Sequence, residues 1–280
     1  MFRGIMHAMQ TVYGVKPMIS LNQTAACHQC TEVFNGNGAI HNAVSLPGMD
    51  AWISSDPFRG DDRGGDVHYV STCGDGRTSR FAVLDVAGHG ATVGRVARRL
   101  RYLMHRHLDM LDQAELAGAL NRDLLRMTNG DSAGRFATAL LTTYYAPTNQ
   151  LIICNAGHPR PAVYRASQET WHLLDADEPR GMQPPRNLPL GILEPAQYEQ
   201  FAVEIGENDL VLLYTDSLIE ARDAGGQGLG EHGLLELVAD LGPAAPQDFN
   251  DTVLRAVAEF HGGSPAQDDE TLLVLRRNAA

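Results

Sequence analysis

Short apolar, β-branched runs come in two batches along this chain, with pairs of amphipathic helices between and after them. AWISS (51–55), VHYVST (67–72) and RFAVLDV (80–86) are broken by the turn clusters SDPFRGDDRGGD and CGDGRT, and read as a strand meander. Val93, Val96, Ala97, Leu100, Leu103, Met104, Leu108 and Leu111 recur at helical spacing, which predicts a helix over 91–111. A second helix is predicted over 113–128, on the face of Leu116, Leu120, Leu124 and Met127. Strands resume at 137–146, 150–156 and 161–165, and again at 209–215 and 271–277, with helices at 230–241 and 247–260 before the last. Batches of strands separated by helix pairs exclude βαβ alternation. They predict an α+β fold, with two antiparallel sheets flanked by helices.

The first 47 residues carry no clear periodicity and include polar, Gly-rich stretches such as FNGNGAIHN. They read as an irregular N-terminal extension, with the folded domain over 48–278. A polar, Pro-rich loop is expected over 175–189, where Pro184 and Pro185 mark a candidate flap.

Bulk properties exclude several classes of function. With 34 acidic residues against 22 basic, the net charge of −12 disfavours nucleic acid and anionic membrane as partners. No apolar run approaches the roughly 18–20 residues of a membrane span. The opening MFRGIMHAMQTVYG lacks a signal-peptide pattern. Cys27, Cys30, Cys73 and Cys154 form no disulfide spacing, so a reducing cytoplasm is expected.

Aspartates carry the chemistry. Asp66, Asp85, Asp216 and the Asp268–Asp269 pair each lie at the end of an apolar strand, beside a turn. One such residue is ordinarily a turn or cap residue. Four in one domain point elsewhere: carboxylates that converge cannot all stay ionised unless a cation neutralises them. All-oxygen ligands select hard ions such as Mg²⁺ or Mn²⁺.

The segments GGD, LDVAGHG, ATALLTTYYAPTNQLIICNAGHPRPAVY, LPLGIL, DLVLLYTDSLIEA and DDETLLVLR occur in this order. Together, from Gly48 to Arg277, they resemble the PPM (PP2C-type) phosphatases, in the bacterial branch of SpoIIE and RsbU. The resemblance implies a four-layer αββα sandwich and two divalent cations, Mn²⁺ or Mg²⁺. By position, Asp85 resembles the carboxylate that bridges both ions, with the backbone carbonyl of Val86 as a further ligand. Asp216 and Asp268 resemble ligands of one ion, and Asp66 the residue that engages the second. Asp269 falls behind the ligands. The implied reaction is hydrolysis of phosphoserine or phosphothreonine by a hydroxide that the two metals activate.

The implied substrate is a phosphorylated protein, in particular a small STAS-type anti-anti-sigma regulator in a partner-switching pathway, and a homodimer is an option. His89 is the candidate acid for the leaving group, with solvent as the alternative. His158 reads as a structural histidine bonded to a turn. Arg59 and Arg63 lie near the site in sequence, but neither matches a phosphate-binding arginine of the family. Two other functions stay open: a catalytically inactive phosphoprotein-binding scaffold, and a hydrolase of small phosphoesters on the same fold.

Two weaker signals have bland and sharp readings. Cys27 and Cys30, with His41, make an incomplete zinc pattern or part of a surface extension. Arg95, Arg98, Arg99, Arg101 and Arg106 form a solvated helix face or a docking surface for an acidic phosphoprotein.

Overall fold

The computed structural model describes residues 30–88, 91–128, 136–175, 186–239, 241, 244–263 and 266–278. Strands β1 (Cys30–Gly36), β2 (Ile40–Leu46), β3 (Met49–Asp56), β4 (Val67–Cys73) and β5 (Thr78–Val86) precede helices α1 (Ala91–Arg106) and α2 (Gln113–Thr128). Strands β6 (Ala137–Tyr145), β7 (Gln150–Ala156), β8 (Ala162–Arg165), β9 (Thr170–Leu173), β10 (Phe201–Glu204) and β11 (Leu210–Tyr214) follow. Helices α3 (Ser217–Glu220), α4 (Gly230–Val238) and α5 (Pro246–Phe260) lead to the last strand, β12 (Glu270–Arg277).

The strands make two six-stranded sheets, ordered β1-β4-β5-β6-β7-β10 and β2-β3-β12-β11-β8-β9. Every pairing is antiparallel. The central strands are apolar on both faces because both faces are covered. In β5, Phe81 and Val83 enter the core between the sheets, whereas Ala82, Leu84 and Val86 face α1 and α2. In β11, Val211 and Leu213 point inward, and Leu210, Leu212 and Tyr214 meet the side chains of α3, α4 and α5. The period of two thus divides each strand between neighbouring cores. Three cores between four layers make the αββα sandwich.

The structure corrects the reading of the first 47 residues over its second part. β1 pairs with β4, and β2 pairs with β3 across the Pro47–Gly48 turn. Gly48 takes φ of +78°, so the Pro-Gly signal at the expected boundary is the turn of a hairpin. Both strands lie at sheet edges and are half exposed, which leaves little apolar alternation to read. Residues 1–29, with Cys27, lie outside the described residues, as do residues 176–185 of the Pro-rich loop, with Pro184 and Pro185.

Helix α1 ends at Arg106 rather than at 111. The Arg80 guanidinium, buried in β5, takes the carbonyls of Leu108 and Met110 as acceptors and holds that segment off helical geometry. On α1, Arg95, Arg98, Arg99 and Arg106 are exposed. Arg101 is not part of a solvated face: its guanidinium bonds the Asn35 and Asn37 side-chain oxygens, at 3.2 Å each.

Candidate active site

The register of the first sheet sets two carboxylates side by side. Val67 pairs with Leu84, and the residues one step beyond that pair are Asp66 and Asp85. In the second sheet Tyr214 pairs with Leu272, which brings Asp216, just past β11, to the same end as Asp268 and Asp269, just before β12. Thr215 ties the two ends together. Its Oγ1 donates to Asp66 Oδ2 at 2.9 Å, and it accepts the Thr271 N–H at 3.0 Å.

The Gly64–Gly65 loop closes one side. The Asn37 carbonyl accepts from the Gly64 N–H at 2.8 Å, and Asn37 Nδ2 donates back to the Gly64 carbonyl at 3.0 Å. Asp269 accepts the Phe58 N–H at 2.7 Å through Oδ1 and the Gly65 N–H through Oδ2. A Cβ at Gly65 would stand 3.2 Å from the Val86 carbonyl oxygen and 3.4 Å from Asp269 Oδ2. Glycine here lets the backbone approach the oxygens of the site.

The charges of these carboxylates act on one another. Asp66 is 3% exposed, and burial followed by the charge of Asp85 pushes its pKa well above the carboxylate range. Bonds from Thr271 and Thr215 oppose that rise. Burial, then Asp216, Asp268, Asp269 and Glu220, raise Asp85 to about 7. Asp216 is raised by burial, then by Glu220 and Asp268, against a backbone bond from Ser217. Acids lifted together in this way mark a place where positive charge would be stabilised.

His158 is a buried tie between the strands that carry the site. Its Nδ1 lies 2.7 Å from Thr138 Oγ1 and its Nε2 lies 3.0 Å from the Tyr214 carbonyl. Burial lowers its pKa to about 4, so the ring is neutral, with Nε2–H donating and Nδ1 accepting. Thr138 sits opposite Asp85 in the β5–β6 register, and Tyr214 is two residues before Asp216. Its backbone also bonds the Asn155 side chain in a turn. The sequence marked that turn but not the tie across the sheets.

His89 lies outside the described residues. Arg59 lines a cavity at the edge of the site, and Arg63 is exposed. The residues that sequence reasoning missed are Thr215, Thr271 and Asn37. Thr215 adjoins a singled-out aspartate in LLYTDS, which was its only signal. His41 bonds Asp56 at 3.1 Å and Ser54 at 3.3 Å on the second sheet, while Cys30 faces Cys73 across the β1–β4 pair in the first. His41 is therefore engaged elsewhere, and Cys73 is disulfide-bonded, which corrects the expectation of cysteines without a bridge.

Among the described residues, no three carboxylate, imidazole or thiol groups stand close enough to hold one ion in common. The fit to a metal rests on donor chemistry and charge. Asp66, Asp85, Asp216 and Asp268 and the Val86 carbonyl gather oxygen donors at one end of the sandwich. The upward shifts of Asp66, Asp85 and Asp216 come first from burial and then from neighbouring carboxylates. That set fits hard divalent cations.

Residues 75–278 match the stage II sporulation protein E (SpoIIE) family. The phosphoserine phosphatase RsbP of Bacillus subtilis strain 168 is 24% identical over 195 residues, 69% of this chain and 44% of RsbP. The phosphoserine phosphatase RsbU of the same organism is 24% identical over 212 residues, 75% of this chain and 58% of RsbU. The chain thus spans about half the length of these relatives. The crystal structure of the RsbU and RsbW domains of a Mycobacterium tuberculosis protein superposes with a TM-score of 0.67 at 22% identity. That match covers 86% of this chain and 63% of the other. The SiaA PP2C domain of Pseudomonas aeruginosa gives 0.64 at 18% identity, covering 81% and 84%. RsbX in complex with magnesium gives 0.57 at 13%, covering 85% and 99%. With a family match over most of its length and the same layered fold, this chain belongs to the SpoIIE family of PPM (PP2C-type) phosphatase domains.

Proposed function

We propose that the chain is a metal-dependent protein serine/threonine phosphatase that hydrolyses phosphoserine or phosphothreonine. The observation that carries this reading is the gathering of Asp66, Asp85, Asp216 and Asp268 at one end of the two sheets, with Thr215 Oγ1 bonded to Asp66 Oδ2 at 2.9 Å across them. The names of RsbP and RsbU support phosphoserine as the reacting group, and the magnesium of the RsbX structure supports a hard cation. Asp66, Asp85, Asp216, Asp268 and the Val86 carbonyl would hold two Mn²⁺ or Mg²⁺ ions. Such ions, when bound, supply positive charge to the phosphoryl oxygens and lower the pKa of water.

The chain's own residues prepare that place. Thr215 holds the Asp66 carboxyl by a hydrogen bond and is itself held by the Thr271 N–H. Asp269 fixes the Gly65 and Phe58 backbone, so the loop approaches without a side chain in the way. His158 ties β6 of one sheet to β11 of the other and stays neutral. His89 is the proposed proton donor to the leaving alkoxide.

The proposed substrate is a STAS-type anti-anti-sigma protein, acted on in the cytoplasm. None of the described helices is long and apolar enough to cross a membrane. The test is hydrolysis of p-nitrophenyl phosphate and of a phosphoserine peptide, with and without Mn²⁺, for wild type and Asp85→Asn. Activity should require Mn²⁺ and fall at least a hundredfold in the variant. Faster turnover of nucleotides than of the peptide would reject a protein substrate in favour of small phosphoesters. Peptide binding with no turnover would favour the inactive scaffold.

A further inference from the structure

Two cavities meet beside the carboxylate end of the sandwich. The larger, about 760 Å³, is lined by Phe58, Arg59, Arg222, Asp223, His261 and Gln267, among others. The smaller, about 490 Å³, shares Arg222, His261 and Gln267 with it and reaches Ser217, Glu220 and Asp268. One continuous hollow therefore runs from a wall with two arginines to a proposed metal ligand. Such a wall stands out in a chain of net charge −12.

The donors in this wall are only partly used. Arg222 gives one bond through Nη1 to the Gly226 carbonyl at 3.0 Å, which leaves the rest of its guanidinium fork. Its backbone N–H donates to His261 Nδ1 at 3.1 Å, so in the neutral ring Nε2 carries the hydrogen and is a further donor. Arg59 packs its guanidinium over the Phe58 ring, 4.8 Å from the centroid. It holds φ of +56°, which residues with a side chain seldom adopt. Its neighbour Phe58 is bonded to Asp269, so the position of Arg59 is fixed from the acid cluster itself. In the larger cavity the one carboxylate, Asp223, is turned to its own loop, where it accepts from Gly225 at 2.8 Å and Gln227 at 2.9 Å, while Glu220, Asp268 and Glu270 line only the smaller cavity.

Among the described residues, neither Asp66 nor Asp85 lines either cavity. The basic wall therefore stands beside the place where a phosphoryl group would react, and does not surround it. We propose that this cavity binds an acidic side chain flanking the phosphorylated residue of the substrate, its carboxylate held by Arg59 and Arg222 with His261 Nε2–H as a further donor. The proposal rests on the phosphatase reading and adds a sequence preference to it. Charge pairs at such a rim select among partners more than they add affinity.

The test is fluorescence anisotropy of labelled phosphoserine peptides with glutamate or lysine beside the phosphoserine, measured in EDTA and again with Mn²⁺. Wild type should bind the glutamate peptide about tenfold more tightly. The ratio should fall to about one in Arg59→Ala/Arg222→Ala and invert in Arg59→Glu/Arg222→Glu. Arg59→Lys/Arg222→Lys should keep most of the preference. Arg99→Ala, on the exposed face of α1, should keep all of it. Thermal unfolding of each variant checks that the fold is retained. Equal affinity for the two peptides in wild type, or an unchanged ratio in the charge-removed pair, overturns the proposal. Selective binding without hydrolysis would instead remove the phosphatase reading, and hydrolysis without selectivity would remove only this one.

Discussion

Thr215 Oγ1 donates a 2.9 Å hydrogen bond to Asp66 Oδ2, joining residues 149 positions apart at the end of two different sheets. Each partner is buried, with Asp66 3% and Thr215 0% exposed. The bond is therefore a test of how the site is held together. Thr215→Val keeps the shape and removes the donor, which should cost about 1–3 kcal/mol in urea unfolding. Thr215→Ser keeps the hydroxyl and should recover most of that loss. Equal stability of Thr215→Val and wild type would show that the bond contributes nothing.

Asp85 should make the metal-free protein less stable as pH rises. Its folded pKa is about 7 against an ordinary 3.8, so the folded state binds the proton more tightly than the unfolded chain does. The contribution is fully present below pH 3.8 and is lost as pH rises through 7. His158 has the opposite sign: lowered from 6.5 to about 4, it costs stability as pH falls through that window. Comparing wild type with Asp85→Asn in EDTA isolates the first effect. The variant should gain relative to wild type between pH 4 and 8, and a pH-independent difference would contradict the assignment.

His158→Ala removes bonds to Thr138 and Tyr214 and leaves a hole between the strands. We expect a loss of about 2–4 kcal/mol, read as a lower denaturation midpoint. His158→Gln, able to donate and accept, should lose less. A silent His158→Ala would mean that the tie across the sheets does not support the fold.

Gly65→Ala tests the close approach of the loop. The new Cβ would stand 2.6 Å from Val93 Cγ1 in the first turn of α1, and one of the two must shift. Destabilisation of about 1–3 kcal/mol is expected. Val93→Ala removes that methyl, so the double variant should be more stable than the two single losses predict. Strict additivity would show that the two residues do not meet.

The strands at the centre of each sheet were legible because burial on both faces makes them continuously apolar. RFAVLDV, DLVLLYT and TLLVLRR are of this kind. The strands that were missed are β1, β2, β9 and β10, and these are the four edges of the two sheets. An edge strand such as IHNAVSL has one neighbour and a wet face, so few of its residues need to be apolar. The aspartates were legible by position, since each follows or precedes a strong strand. Thr215, Thr271 and Asn37 were not, because a hydroxyl or amide that bonds a distant carboxylate or loop leaves no periodic trace. The end of α1 was misplaced for a similar reason: its last turn is set by Arg80, on a strand earlier in the chain.

Five oxygen-donor positions, drawn from four separate segments of the sequence, are proposed to share two cations. Isothermal titration of Mn²⁺ into metal-free wild type, Asp85→Asn and Asp216→Asn, at pH 7.5, reads that sharing without reference to turnover. Wild type should bind two ions, Asp85→Asn should weaken both, and Asp216→Asn should weaken one. Unchanged stoichiometry and affinity in both variants would contradict the account.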